Sequence, residues 1–343
     1  MKAARLHAYK KPLIVDEVPV PKPSAGQVLV KIEGSGFCHS DLHVIDGEIQ
    51  ILPRMPLTLG HENAGRVAAI GAGVTTVKEG DAVAVYGGWG CGTCDYCLRG
   101  NEQLCAAPQW VGLSKWDGGY ADFLLVPQER YLIKLTKIPP KEAAPLTDAA
   151  LTPYRAVRKA LKYIDPSHAV LTIGAGGLGQ YGIQYLRMFT GSPIIAVDIS
   201  EAKRKLAKEL GADYVFDGKD PEIAKKILDL TDGTGVCASF DFVGSDATLA
   251  LATGATRSFG TITQVGLAGG TAKFQVMHNA KFEVTFEATL WGSLKELREV
   301  LNLAEAGRLK KETLDFIPLE RIQEAYEKVK NGAVLGRVVI TPV

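Results

Sequence analysis

Ala169-Val170-Leu171-Thr172-Ile173-Gly174-Ala175-Gly176-Gly177-Leu178-Gly179 is the stretch that decides the fold. Ala169–Ile173 is an uninterrupted strand-forming run, the pattern of a strand covered on both faces. The residues after it read G-x-G-x-x-G and open a helical pattern that continues through Phe189. Such a glycine run is weak alone. Between a buried strand and a helix it reads as the phosphate-binding turn of a dinucleotide fold. Gly174 permits the tight turn, Gly176 lets a pyrophosphate approach the backbone, and Gly179 lets helix and strand pack closely. Gly177 and Leu178 lead into the helix, whose free N–H groups would face the phosphates.

Downstream, the next strand, Pro193–Ile199, contains Asp198, near the ~20-residue offset of a ribose-binding acid. A carboxylate there accepts hydrogen bonds from ribose hydroxyls and repels a 2′-phosphate. Ile199 and Ser200 follow it, with no adjacent basic residue, which favours NAD over NADP. Lys203 is within reach of the same ribose. Asp198 and Ser200 also suit the cap of the amphipathic run Glu201–Leu210. Then come a strand at Tyr214–Phe216, a helix at Pro221–Leu230, a strand at Val236–Val243 and a helix near Asp246–Ala255. Two further strands are expected at Thr261–Gly266 and Phe282–Thr289. Strands alternating with helices imply βαβ units and a doubly wound parallel sheet. The tail from Ser293 shows two helical runs and a last strand, Gly336–Thr341.

Upstream the texture changes. The first ~145 residues hold short β-rich runs, such as Gln27–Glu33, Ala64–Ile70 and Asp81–Tyr86, between Gly and Pro turns. Pro145 to Tyr163 reads as helical. At 343 residues the chain exceeds one ordinary domain. Its 46% hydrophobic content suits a globular core, and a formal net charge of +1 offers no field for nucleic acid or an anionic membrane. Met1–Lys10 is polar and mixed, unlike a secretory signal, and no run approaches a membrane span. A cytoplasmic protein without nucleic-acid or membrane partners is expected.

Cys91-x2-Cys94-x2-Cys97-x7-Cys105 gathers four of the six cysteines on one glycine-containing loop. In a reducing compartment such a cluster reads as a metal site before a disulfide framework. Four thiolates make a closed tetrahedral zinc site with a structural role. An iron–sulfur cluster is the rival reading, less suited to a chain with no other electron-transfer motif. Elsewhere, Cys38-His39-Ser40-Asp41-Leu42-His43 and Gly60-His61-Glu62 gather thiol, imidazole, hydroxyl and carboxylate between strand-forming stretches. From spacing alone Cys38 and His61 read either as metal ligands or as core residues. Cys237 reads as packing, and His7, His168 and His278 gain no partner from any motif.

Gly60-His61-Glu62-Asn63-Ala64-Gly65-Arg66-Val67, continuing to Gly71-Ala72-Gly73-Val74, resembles the G-H-E-x-x-G-x-V-x-x-x-G-x-x-V motif of the zinc-containing alcohol dehydrogenases of the medium-chain dehydrogenase/reductase superfamily. The resemblance runs nearly end to end and includes the Cys38 segment, the four-cysteine loop and the glycine turn. It implies an α/β fold: a GroES-like β-rich catalytic domain over 1–147, with a zinc lobe at about 88–108, completed by 291–343. A Rossmann domain, 148–290, would bind NAD, and the active cleft would lie where the two domains join. The resemblance implies two Zn2+ per subunit. One is structural; the other is catalytic, on Cys38, His61 and Asp148, with Glu62 as an alternative ligand. Asp148 stands where the best-known form of the family has a second Cys, a harder ligand of the same charge found in bacterial and archaeal relatives.

The resemblance further implies that Ser40 takes the alcohol proton and passes it by way of the nicotinamide ribose to His43 and solvent. Hydride leaves most readily from a zinc-bound alkoxide, which zinc favours as a Lewis acid. Asp41 would orient His61. Thr152 and Val265 would line the nicotinamide pocket, Arg337 would neutralise pyrophosphate, Trp291 would lie near the substrate cleft, and Trp89 would lie beside the catalytic half and the zinc lobe. The implied activity is reversible oxidation of primary or secondary alcohols to aldehydes or ketones by a homo-oligomer, a tetramer before a dimer. Alternatives are a polyol or L-threonine dehydrogenase of the same superfamily, or a zinc-free quinone reductase, which would have no use for Cys38 and His61.

Overall fold

Val170–Ile173, with every residue buried, takes a central place in a six-stranded sheet of the computed structural model, which describes residues 1–272, 283–310 and 313–342. The chain divides into two compact units, Met1–Leu151 with Trp291–Val343, and the continuous segment Thr152–Leu290. The first boundary falls after Leu151, so Asp148 belongs to the same unit as Cys38 and His61.

In the segment Thr152–Leu290 the strands lie in the order Tyr214–Asp217, Ile194–Asp198, Val170–Ile173, Val236–Asp241, Thr256–Gln264, Thr285–Ala288. All neighbours are parallel. This is the 3-2-1-4-5-6 order of a doubly wound sheet, which binds ligands where the order reverses beside the first strand. Continuous apolar strands are what two covered faces require. Leu171, Ile173, Ile195, Val197, Ile223, Ile227 and Ile262 form the core. Helices Gly179–Phe189, Glu201–Leu210, Ile223–Leu230 and Asp246–Ala255 make the crossovers.

Two strands depart from the sequence reading. The fifth begins at Thr256 instead of Thr261, because the register shifts against Val236–Ala238 and throws Phe259 outward, exposed and at φ +58. The sixth covers Thr285–Ala288; Phe282, like His278, lies outside the described residues.

The other unit is built on a sheet running Leu314–Pro318, Arg337–Thr341, Val28–Phe37, Glu62–Ile70, Ala82–Val85, Leu132–Lys134, with Phe123–Val126 also pairing Val28–Phe37. Apart from the parallel pair at its Leu314–Pro318 end, the pairing is antiparallel. A small sheet of Ile14–Glu17, Lys2–Leu6 and Leu57–Thr58 completes it. The strand Leu314–Pro318 is not expected from the sequence, since Asp315 and the exposed Phe316 break its apolar alternation. Val28–Phe37 runs past the expected end at Glu33, because pairing on both sides keeps Gly34-Ser35-Gly36 extended. The run expected as one helix from Pro145 is broken. A 3-10 turn, Ala144–Thr147, stops at Asp148, where φ −143 and ψ −57 leave the helical region, and an α-helix resumes over Leu151–Ala160.

Gly179 is held by crowding: a Cβ there would lie 1.9 Å from the Gly174 carbonyl oxygen. Gly254 faces open space on its helix. Gly179→Ala should cost about 1–3 kcal/mol by overpacking, whereas Gly254→Ala should be neutral or stabilise by up to ~1 kcal/mol. Calorimetric unfolding of both variants checks this; equal stabilities would refute the packing argument.

Candidate active site

Strand pairing assembles the site. Val28–Phe37 ends beside Cys38, and Gly36 faces Glu62 on the neighbouring strand, which sets His61 opposite the end of the first strand. On the other side Val338 pairs with Phe37, bringing Arg337 to the same place. The break after Thr147 delivers Asp148. Cys38 Sγ lies 3.8 Å from Asp148 Oδ2, and His61 Nε2 lies 3.4 Å from the same oxygen. One donor atom each from Cys38, His61, Glu62 and Asp148 falls within 4.8 Å of the others, and all four residues are buried.

These spacings fit one tetrahedral cation. Ligands about 2.0–2.3 Å from zinc at tetrahedral corners stand roughly 3.4–3.8 Å apart. Charge argues the same way. Burial pushes the Glu62 carboxyl up to about 7, against the pull of Arg337, with Asp148 adding to the rise. Burial would lower the His61 imidazole, yet the Asp41 charge and hydrogen bonds donated by the ring to Asp148, Asp41 and Cys38 hold it well above its usual range. So many buried anionic groups call for a further positive charge.

The supporting shell is specific. The helix His39–Ile45 starts at Cys38, whose backbone N–H donates to Asp41 Oδ2 at 2.9 Å. Tyr120 donates to that oxygen at 2.7 Å. The other oxygen, Oδ1, lies 3.4 Å from His61 Nδ1, an ion-pair distance. Trp291 meets the His61 ring edge-on at 5.6 Å and donates to the Thr147 carbonyl at 3.0 Å. Its backbone sits at φ +51, a strained value for a bulky residue. Ser40 Oγ is 3.5 Å from Cys38 Sγ, and His43 Nδ1 is 2.5 Å from Glu48 Oε2.

Arg337 is where the sequence reading and the structure part. Its guanidinium, expected on pyrophosphate, is buried and donates through Nε to Glu62 Oε2 at 3.0 Å and through Nη2 to Oε1. A buried fork-to-fork pair of this kind uses two of the five guanidinium N–H donors. Neither Tyr120 nor the Glu62–Arg337 pair has any local sequence signal; each depends on residues far apart in the chain.

The cysteine lobe is equally well formed. Cys94 Sγ lies 3.5 Å from Cys97 Sγ and 3.8 Å from Cys105 Sγ, and Cys91 Sγ lies 4.0 Å from Cys97 Sγ. Tetrahedral zinc sulfurs stand about 3.8 Å apart, and all six cysteines of the chain are free. Backbone N–H groups of Cys91, Thr93, Cys94 and Ala107 point at the sulfurs. The Thr93 hydroxyl, with the N–H groups of Thr93 and Cys94, holds Cys91 down at about 5, while burial beside the other thiols pushes Cys97 up to about 12. Four thiolates cannot share this lobe without a cation. Trp89 packs beneath it against Tyr131 and Trp116, so it is a foundation of the lobe.

In the segment Thr152–Leu290 the glycine turn follows the first strand as read. Asp198 accepts from Ala175 N and Ser200 N, each at 2.8 Å, tying the turn to the next helix. Lys203 Nζ comes 3.9 Å from where a Cβ on Gly176 would sit. Gly177 and Leu178 precede the helix Gly179–Phe189. Thr152 and Val265 are buried. Arg204, unmarked in the sequence reading, donates to the Asp198 carbonyl at 2.7 Å and pairs with Asp217 at 3.2 Å.

Removing Arg337 should strand a buried carboxylate. Arg337→Ala should cost about 3–5 kcal/mol, and the double variant Arg337→Met/Glu62→Gln should recover most of it. Urea unfolding of the two variants is the check; a mild Arg337→Ala would return that residue to a solvated role.

Comparison with known proteins places these features in a family. Residues 24–139 match the alcohol dehydrogenase GroES-like domain, and residues 177–306 match the zinc-binding dehydrogenase domain. The chain is 39% identical over its whole length to an NAD-dependent alcohol dehydrogenase of Sulfurisphaera tokodaii, itself covered in full. The crystal structure of the alcohol dehydrogenase from Aeropyrum pernix superposes with TM-score 0.94 at 38% identity, over all of both chains. The D-arabinose dehydrogenase of Sulfolobus solfataricus gives TM-score 0.86 at 34% identity, over 99% of each. The chain belongs to the zinc-containing alcohol dehydrogenase family of the medium-chain dehydrogenase/reductase superfamily.

Proposed function

We propose that the chain is an NAD-dependent alcohol dehydrogenase that interconverts primary or secondary alcohols with aldehydes or ketones. The observation that carries this reading is the buried set Cys38, His61 and Asp148, spaced for one tetrahedral cation beside Ser40. Zinc there supplies Lewis acidity that acidifies an alcohol, and NAD supplies the hydride acceptor.

The chain's own groups do the rest. Cys38, His61 and Asp148 are the three protein ligands, which leaves a fourth position for substrate. Asp41 fixes the His61 tautomer with Nε2 toward the ion. Ser40 takes the alcohol proton, and His43 conducts it to water. Cys91, Cys94, Cys97 and Cys105 hold a second, structural zinc. Gly174, Gly176, Gly177, Leu178 and Gly179 receive the pyrophosphate, Asp198 and Lys203 the ribose, and Thr152 and Val265 the nicotinamide end. Arg337 holds Glu62 in a buried pair.

No helix among the described residues is long and apolar enough to cross a membrane. The cytoplasm is the location we propose. A homo-oligomer, a tetramer before a dimer, is the assembly we propose, with the terminal strand Thr285–Ala288 of the described sheet as the candidate interface.

Purified protein should hold about two zincs per chain. Asp148→Ala should hold about one and lose NAD-dependent oxidation of 2-propanol, cyclohexanol and 1-phenylethanol. D-arabinose, assayed alongside, separates a sugar substrate from a simple alcohol. A fully zinc-loaded, fully active Asp148→Ala would overturn the ligand set. Ligand sulfurs and imidazole must be deprotonated to hold zinc, and against the effect of burial the Asp41 charge holds His61 above its usual range. Zinc at this site should therefore be lost as pH falls, and a chelator titration from pH 8 to pH 5 reads the loss.

A further inference from the structure

The helix His39–Ile45 ends in a Schellman arrangement. Asp46 is its last half-helical residue, and Gly47 follows in the left-handed region at φ +73. The Glu48 N–H donates to the His43 carbonyl at 2.9 Å, and the Gly47 N–H donates to the Val44 carbonyl at 3.1 Å. These are the 6→1 and 5→2 bonds that define the motif. The motif brings the side chain after the glycine back over the residue three from the helix end, a contact that is ordinarily apolar. Here it joins Glu48 to His43, and Glu48 Oε2 lies 2.5 Å from His43 Nδ1.

The surroundings single out this carboxylate. Asp46 is also near His43, but it accepts from Tyr326 at 2.6 Å and from Lys330 at 3.2 Å, both on the helix Ile322–Lys330 packed alongside. Burial raises the Asp46 carboxyl, yet the hydrogen bonds from Tyr326 and Lys330, with the nearby Lys330 and His43 charges, hold it below its usual range. It is an anion already occupied. Among the described residues Glu48 has one side-chain partner, His43. The exposures are graded: the His43 side chain is 17% exposed and that of Glu48 62%. The pair thus leads outward from the partly buried ring into water.

We propose that Glu48 is the positioning residue of the proton exit, holding His43 through Nδ1 and taking the proton that leaves the ring for water. This rests on the reading of Ser40 and His43 as the proton route. In alcohol oxidation a proton reaching His43 at Nε2 is matched by release of the Nδ1 proton to Glu48 Oε2. Glu48 then gives that proton to solvent, and the imidazole is left neutral in its other tautomer. No electrons move in this step. Return of the ring to its starting tautomer completes the cycle.

The test is single-turnover NADH formation by the zinc-loaded enzyme in dilute buffer, for wild type, Glu48→Gln, Glu48→Asp and His43→Gln. Glu48→Gln keeps the shape and the backbone motif, so its thermal midpoint should match wild type. Its hydride-step rate should fall about tenfold, with KM for alcohol and NAD unchanged. Glu48→Asp should restore part of the rate, as should raising the MOPS concentration, because a diffusible base replaces the missing carboxylate. If His43→Gln is slow while Glu48→Gln is as fast as wild type, the inference about Glu48 falls and the proton route stands. A slow Glu48→Gln that neither Glu48→Asp nor MOPS relieves also overturns it, since that pattern belongs to a merely structural residue. If His43→Gln is as fast as wild type, the route itself fails and Glu48 with it.

Discussion

Everything around the candidate active site answers to one electrostatic constraint. Cys38, Asp41, Glu62 and Asp148 can each carry negative charge, and all four are buried. The buried guanidinium of Arg337 is committed to Glu62. Moving an ion out of water costs several kcal/mol even after relaxation, unless a partner compensates. A divalent cation is the compensation these residues are built for. It explains why buried thiol, imidazole and carboxylate atoms approach one another at spacings that would otherwise be repulsive. The cysteine lobe meets the same constraint with four sulfurs, and there backbone N–H groups share the task.

Satisfying that constraint requires accurate placement, and the β-rich unit provides it through register. Gly36 facing Glu62 and Val338 facing Phe37 fix the ends of three strands at one point. A slip of one residue would turn each of these side chains to the opposite face of the sheet. Asp148 arrives by a different device, the interruption between a 3-10 turn and the helix Leu151–Ala160. Asp41 then joins the parts, accepting from Cys38 N and from Tyr120 while its second oxygen faces His61. These supports lie on separate elements, so the ligands are constrained before any ion binds.

The sequence is most legible where structure is local. The glycine turn after Ala169–Ile173 and the alternation that follows it point to the doubly wound sheet, because strand period and glycine geometry act over a few residues. The four-cysteine loop is legible for the same reason. Cys38, His61 and Asp148 can be joined only through the family resemblance, since their spacing carries no geometry. The Glu62–Arg337 pair is missed by sequence reading because an arginine near a chain end looks free to meet a ligand until strand pairing buries it against Glu62. Glu48 is invisible there: it looks like surface charge until the Schellman turn folds it over His43. The strand Leu314–Pro318 and the early start at Thr256 escape for one shared cause, in that tertiary pairing extends strands through residues with no alternating pattern.

The Glu62–Arg337 pair also bears on which carboxylate serves the catalytic metal. Glu62 is within ligand range, and its sequence position next to His61 makes it a natural rival to Asp148. To bind the ion, however, Glu62 would have to turn from Arg337, leaving a guanidinium buried without its partner. The penalty for breaking such a pair is about 3–5 kcal/mol. Asp148 Oδ2 stands 3.4 Å from His61 Nε2 and 3.8 Å from Cys38 Sγ. The proposed assignment keeps Asp148 as the ligand and leaves Glu62 with Arg337. Under this assignment the harder oxygen ligand lowers the intrinsic affinity for zinc relative to a second thiolate. The preformed geometry, oriented through Asp41 and backed by Trp291, offsets that loss by sparing the site the entropy of assembling its ligands.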